Sequence, residues 1–395
     1  MQFRTRAIHV GQEPDPQTGA AVPPLHLAST YVQHHAGEWR EFDYSRSGNP
    51  TRKALETTLG SLESGCGALA FASGMAAIHC VTMLFESGDA ILAGSDIYGG
   101  TYRLLKKIVG RAGLDVTLVA TTDLGRVEAA ITPRTRLLWI ETPGNPLLSI
   151  TDIAACAELA ARHGILLGVD NTFATPVLTR PLELGADIVM HSATKYLGGH
   201  TDLLGGALVV KDPKLLERLY FIQNATGAVM GPLECFLCSR ALKTLELRIR
   251  EQCATAERIA AFLADHPRVK RVYYPGLVDH AGHELAARQM AGLYGAMVSF
   301  EPEGGSRGDF ETARRLVEST RLFHLAVSLG AVESLIEQPA AMSHASYDRE
   351  DRLAHGIGDG LVRLSIGLEA FEDLRDDVAQ ALDRSVHDSA LGAKI

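Results

Sequence analysis

Between residues 51 and 210 short apolar runs alternate with stretches of helical periodicity, and that alternation leaves few folds open. Helical pattern covers Thr51 to Glu63, Gly74 to Phe85, Tyr102 to Gly113, Arg126 to Ile131 and Ile153 to His163. Between them lie Ala68 to Ala72, Ala90 to Ala93, Val116 to Val119, Leu137 to Glu141 and Ile165 to Asp170, and Ile188 to Met190 and Ala207 to Val210 follow. Runs this apolar bury both faces of a strand. Apolar strands separated by helices predict an α/β fold with a mostly parallel sheet sandwiched by helices.

The flanks read differently. Residues 1–50 are broken by Pro14, Pro16, Pro23, Pro24, Gly37, Gly48 and Pro50, so an irregular arm is expected, packed on something outside its own domain. A long helical stretch runs from about Pro232 to Leu263. After His266 and Pro267 isolated strands (Val269 to Tyr273, Ala296 to Phe300, Leu361 to Ser365) mix with helices (Phe310 to Glu318, Glu372 to Ser385). The expected organisation is an arm over 1–50, a main domain over 51–245 and a smaller C-terminal α/β domain over 246–395.

A formal charge of −9 and the lack of a basic stripe argue against nucleic acid or an anionic membrane as partner. Six cysteines at low density suit reduced thiols in a cytoplasmic protein. The first residues carry no long apolar core of a secretory signal, and no run approaches the roughly 20 apolar residues of a membrane span.

In open α/β sheets ligands bind outside the carboxyl ends of the strands. The strand from Ile188 to Met190 leads into Ser192, Thr194 and Lys195, then Gly198 and Gly199. Lysine is rarely buried without compensation, and a desolvated amine attacks carbonyls. On its own this segment also suits a strand-end lysine reaching solvent. The strand ending at Asp170 puts a carboxylate where it is costly without a cationic partner. Ala68 to Ala72 runs through Ser73, Gly74 and Met75 straight into a helix, whose free N–H groups and dipole suit a phosphate. Leu137 to Glu141 leads to Asn145, and Ala90 to Ala93 leads toward Tyr98.

Taken singly, Asp170 reads as a helix cap, Ser73 as a turn residue and Tyr98 as a packing residue. Together at one edge they match what pyridoxal 5′-phosphate (PLP) requires: a Schiff-base lysine, an anion for the pyridine nitrogen, a phosphate site and an aromatic face. Competing motifs fail on context. Gly65-Cys-Gly67-Ala-Leu-Ala70 precedes a strand where a dinucleotide fingerprint follows one. There is no Gly-Lys pair for a P-loop, and His283-Glu284 lacks the second histidine of a zinc site. Cys235 and Cys238 form a lone pair inside a helical stretch and read as structural thiols.

With these residues on hand, the chain resembles the cysteine/methionine-metabolism group of fold-type I PLP enzymes, which includes cystathionine γ-lyase, γ-synthase and β-lyase and methionine γ-lyase. The resemblance covers nearly the whole chain. It is carried by Tyr44-Ser-Arg46-Ser-Gly-Asn-Pro-Thr51, Ser73-Gly-Met75, Tyr98-Gly-Gly-Thr101, Glu141-Thr-Pro-Gly-Asn145-Pro, Val169-Asp-Asn-Thr172, Ser192-Ala-Thr-Lys195, Ser328-Leu-Gly330 and Arg363-Leu-Ser-Ile-Gly-Leu-Glu369.

The resemblance implies a role for each matching position. Lys195 would be the Schiff-base lysine and proton shuttle, Asp170 the partner of the pyridine nitrogen, and Tyr98 the stacking ring with a part in proton transfer. Ser73, Gly74, Met75, Thr172, Ser192 and Thr194 would hold the cofactor, chiefly its phosphate. Tyr44 and Arg46 would reach that phosphate from a neighbouring subunit of a homotetramer built as two dimers. Arg363, aided by Ser328 and Asn145, would bind the α-carboxylate of a small amino-acid substrate. Arg103 stands where cystathionine-handling members place an arginine for the distal carboxylate, and Gly100 stands where methionine γ-lyases carry cysteine. Val327 counts the other way, since many cystathionine γ-lyases and γ-synthases have glutamate there. The expected activity is cleavage of the Cγ–S bond of L-cystathionine to cysteine, 2-oxobutanoate and ammonia. Cystathionine γ-synthase and a broader methionine or homocysteine γ-lyase are the alternatives, with a cofactor-free scaffold as the reading from another class.

Overall fold

The computed structural model describes residues 1–304, 309–345 and 347–386. The chain divides into two compact units, one of residues 1–142 and 151–247, the other of residues 143–150 and those from Arg248 onward.

In the first unit, helix α1 (Phe3–His9) lies in the arm, and α2 (Pro50–Leu62) starts where Asn49 accepts the N–H groups of Thr51 and Arg52, with Pro50 in the first turn. Seven strands follow: β1 (Gly67–Phe71), β2 (Ala90–Gly94), β3 (Asp115–Val119), β4 (Thr135–Glu141), β5 (Leu166–Asp170), β6 (Ile188–His191) and β7 (Gly206–Val210). They form one sheet in the order β1-β7-β6-β5-β4-β2-β3. Neighbours from β6 to β3 pair in parallel, and β7 runs against both β6 and β1. The sheet is mostly parallel, as its uniformly apolar strands led one to expect.

Successive strand residues turn to opposite faces, and each face has its own helical cover. Ile91, Ala93, Leu137 and Trp139 pack with Ile78 and Val81 of helix α3 (Gly74–Thr82) and with Leu215 and Leu219 of the helix Pro213–Thr226. Leu92, Leu138, Ile140, Leu167 and Val169 pack with Ile153, Cys156 and Leu159 of the helix Ile153–His163. Trp139 is fully buried, and truncating it to alanine costs about 3–5 kcal/mol.

Several elements depart from expectation. The helix expected over Tyr102 to Gly113 is a succession: α4 (Gly99–Arg103), a π turn (Leu104–Ile108) and a 3₁₀ turn (Val109–Ala112). The stretch from Pro232 to Leu263 is two helices, Pro232–Leu242 and Leu245–Ala264. Pro213–Thr226 was not anticipated, although Asp212 caps it, Pro213 opens it and Gly227 at φ 76° ends it. The six cysteines are free thiols, and burial pushes Cys80, Cys156 and Cys253 up to about 12, which makes them inert.

The second unit holds a five-stranded sheet of β8 (Val269–Tyr273), β9 (Met297–Pro302), β10 (His324–Leu325), β11 (Leu335–Glu337) and β12 (Val362–Ser365). Its pairs are antiparallel except β10 with β11. The short strands β10 and β11 have too few residues to show a period in sequence. No described helix is long and apolar enough to cross a membrane.

Candidate active site

The carboxyl edge of the first sheet gathers nine of the residues marked by sequence: Ser73, Gly74, Met75, Tyr98, Asp170, Thr172, Ser192, Thr194 and Lys195. Beyond β1, the Ser73 hydroxyl accepts the N–H of Ala76 at 3.1 Å and so fixes the start of α3. That leaves the first amides of the helix to a ligand. A Cβ at Gly74 would lie 2.8 Å from Met190 Cε and 3.1 Å from Ser192 Cβ, so only glycine keeps this cradle open.

Beyond β5 and β6 the loops are cross-braced. Thr172 N–H donates to Asp170 Oδ1 at 3.0 Å, and Ser192 N–H donates to Thr172 Oγ1 at 2.9 Å. Thr194 Oγ1 accepts Gly205 N–H at 3.0 Å, which ties this loop to the start of β7. Lys195 N–H donates to Ser192 O at 3.1 Å, and Gly199 N–H donates to Lys195 O at 2.7 Å. The backbone that carries the lysine is therefore set by short-range bonds at both sides.

Beyond β2, Tyr98 N–H donates to Glu141 Oε2 at 2.8 Å. A Cβ at Gly100 would overlap the Tyr98 ring and lie 2.9 Å from Met75 Sδ. The ring thus sits over α4 beside the start of α3. Glu141, buried at the end of β4, is a positioning group that motif matching quoted but gave no role.

Asp170 is buried, and burial pushes its carboxyl above the ordinary value against the pull of its bonds from Thr172 and of the nearby His191. No ion pair reaches it among the described residues. A buried carboxylate in this state calls for a cation. The protonated pyridine nitrogen of PLP is such a cation, and the Gly74 cradle with free helix amides suits its phosphate. The residues fit the cofactor.

The arm residues have their own partners. Arg46 Nη1 donates to Asn224 O at 2.6 Å and to Asn224 Oδ1 at 2.9 Å, and its guanidinium lies 5.5 Å from the Tyr44 ring centre. Buried Arg52 of α2 holds this segment by its backbone, donating to Ser45 O at 2.6 Å and Arg46 O at 3.2 Å. Arg103 is the exposed last residue of α4.

The second unit gathers the other set. Arg363 on β12 donates from Nη1 to Asn145 Oδ1 at 2.8 Å and from Nη2 to Ser328 O at 2.9 Å. Ser328 has φ 101°, a conformation rare outside glycine. Sequence reasoning missed Glu337, the register partner of Arg363, whose Oε1 lies 3.0 Å from Nη2 with both side chains buried. A carboxylate in the short run Leu335-Ile-Glu337 carries no signal of its own without that pairing. Val327 is exposed.

The family model described as "Cys/Met metabolism PLP-dependent enzyme" matches residues 4–383. The chain is 50% identical over 383 residues to a cystathionine gamma-lyase of Bacillus subtilis (strain 168), covering 97% of this chain and 100% of that one. It is 52% identical over 380 residues to a cystathionine gamma-synthase of Mycobacterium tuberculosis, covering 96% of each. Among solved structures, the cystathionine gamma-lyase from Lactobacillus plantarum complexed with L-serine superposes with a TM-score of 0.94 at 46% identity, over 97% of this chain and 99% of that one. The fold is that of a fold-type I PLP enzyme. With residues at a sheet edge that fit this cofactor and a family match over almost its whole length, the chain belongs to the Cys/Met metabolism family of PLP-dependent enzymes.

Proposed function

We propose that this enzyme cleaves the Cγ–S bond of L-cystathionine, adding water overall and releasing cysteine, 2-oxobutanoate and ammonia. The observation that carries the reading is Arg103, an exposed cation on the helix that opens at Tyr98, suited to a substrate with a second carboxylate. When bound, PLP supplies an electron sink for negative charge developed next to the amino group. Lys195 removes the Cα proton and then moves a proton from Cβ, while Asp170 holds the ring nitrogen protonated. The Tyr98 hydroxyl gives a proton to the departing sulfur. Gly74, Met75, Ser192 and Thr194 hold the phosphate, with Ser73 and Thr172 bracing them, and Arg363 takes the α-carboxylate with Asn145 and Ser328.

The assembly proposed is a homotetramer of two dimers in which Tyr44 and Arg46 reach the phosphate of a neighbouring copy. Its support is the arm, where Leu27, Val32 and Trp39 are 69%, 82% and 74% exposed in a single chain. Exposed apolar side chains clustered along one segment mark an interface.

The second reading is cystathionine γ-synthase, which the 52% identical relative favours. Purified enzyme with cystathionine, and separately with an acylated homoserine plus cysteine, separates the two. Rapid 2-oxobutanoate in the first mixture with no synthesis in the second supports the γ-lyase. Cystathionine formed in the second mixture, or pyruvate with homocysteine in the first, would replace it.

A further inference from the structure

The loop that carries Asn145 has a fastening that the chemistry above leaves unassigned. Residues 143–150 belong to the second unit, and bonds within the loop give it its shape: Gly144 N–H donates to Ser149 O and Leu148 N–H to Gly144 O, each at 2.9 Å. Neither bond decides where the loop sits against the second sheet. The contact of Asn145 Oδ1 with Arg363 is one point of attachment, and one side-chain contact leaves the angle of approach open. The adjoining residue supplies another: Pro146 O accepts the Ser299 hydroxyl at 2.7 Å.

Ser299 lies on β9 and is the register partner of Arg363 on β12, as Glu337 is on β11. Directly opposed residues of neighbouring strands turn to the same face, so Ser299, Arg363 and Glu337 form one row across the sheet. All three are buried, Ser299 completely. Val298 and Phe300, on either side of Ser299 in the chain, are apolar and fully buried as well. A hydroxyl in such a place costs free energy unless it is bonded, and a neutral hydrogen bond returns little beyond that cost. Packing alone therefore gives no reason for a serine in this row. Placement does. On one side of Arg363, Glu337 Oε1 lies 3.0 Å from Nη2; on the other, Ser299 holds the residue next to Asn145, whose Oδ1 accepts Nη1 at 2.8 Å. Both terminal nitrogens are gripped, and the buried Nε has no partner.

We propose that Ser299 is a positioning residue for the substrate: its hydroxyl fixes the Asn145–Pro146 segment against β9, so that Asn145 holds the Arg363 guanidinium in the pose that takes the α-carboxylate. This rests on the reading that Arg363 binds that carboxylate.

The test uses the PLP-loaded, full-length enzyme and two probes. 2-Aminoisobutyrate carries an α-carboxylate but no proton on Cα, so it binds without reacting. Isopropylamine is the same molecule with hydrogen in place of the carboxylate. Ser299→Ala removes the hydroxyl and orphans Pro146 O, which is expected to weaken 2-aminoisobutyrate binding about tenfold. The dissociation constants of isopropylamine and of PLP should stay native. In an Asn145→Ala background, where the contact is already lost, Ser299→Ala should weaken 2-aminoisobutyrate no further. Native affinity for 2-aminoisobutyrate in Ser299→Ala, a loss shared by isopropylamine or PLP, or the same loss repeated in the Asn145→Ala background overturns the proposal and leaves Ser299 a purely structural role. Arg363→Lys, which keeps a cation beside Glu337, separates the two ideas. If that variant binds 2-aminoisobutyrate with native affinity, the carboxylate reading of Arg363 fails, whatever Ser299 does.

Discussion

Glu337→Ala is the perturbation that the geometry of the second unit constrains most tightly. Arg363 keeps its charge at any working pH and is buried. Its donors go to Asn145 Oδ1, Ser328 O and the Glu337 carboxylate, and its Nε has no partner. Removing the carboxylate leaves a buried cation with neutral acceptors alone. Breaking a buried pair from one side costs about 3–5 kcal/mol. Glu337→Gln, which keeps an acceptor in place, gives up only the charge assistance, about 1.5–3 kcal/mol. If Arg363 receives the substrate carboxylate, an unreactive α-amino acid supplies the missing anion, so ligand should stabilise the variants more than the native protein. Urea unfolding with and without that ligand reads both quantities. A Glu337→Ala protein within about 0.5 kcal/mol of native, or an equal ligand-induced gain in both, would refute the reasoning.

Other expectations follow from the same geometry. Arg52→Met should loosen the Tyr44–Arg46 segment by removing its bonds to Ser45 O and Arg46 O, with weaker cofactor affinity and faster subunit exchange, read by PLP titration and light scattering. Gly100→Cys places a Cβ against the edge of the Tyr98 ring, so the ring must move; kcat should fall by about 100-fold with the fold retained, the low end of acid–base contributions. Asp170 has a folded pKa raised above its unfolded value of 3.8, so its anionic form costs stability. Cofactor-free protein should therefore be favoured below that value and lose stability as pH rises through the folded pKa. Asp170→Asn should flatten that part of the profile; an unchanged slope would show that burial of this carboxylate is not its cause.

Much of the first sheet was legible because its strands are apolar on both faces: Leu137 and Trp139 serve one layer, Leu138 and Ile140 the other. The edge proposed for the cofactor was legible because Ser73 and Lys195 come within four residues of a strand end and Asp170 is itself the last residue of β5. The helix Pro213–Thr226 was overlooked although Asp212, Pro213 and Gly227 mark its ends, a failure to use capping signals that were present. The π turn after Arg103 has no periodicity that separates it from an α-helix. Glu337 was not legible at all. It acquires meaning from Arg363 on a neighbouring strand, and a buried acid looks the same in sequence whether it is paired or not.

Lys195 remains the residue on which the account turns. The most direct measurement is to load the native protein with PLP, reduce it with borohydride, digest it and locate the modified residue by mass spectrometry. The account expects reduced cofactor on the peptide carrying Lys195, loss of turnover on reduction, and no label in a folded Lys195→Ala protein. Label on another lysine, or full activity in Lys195→Ala, would contradict it.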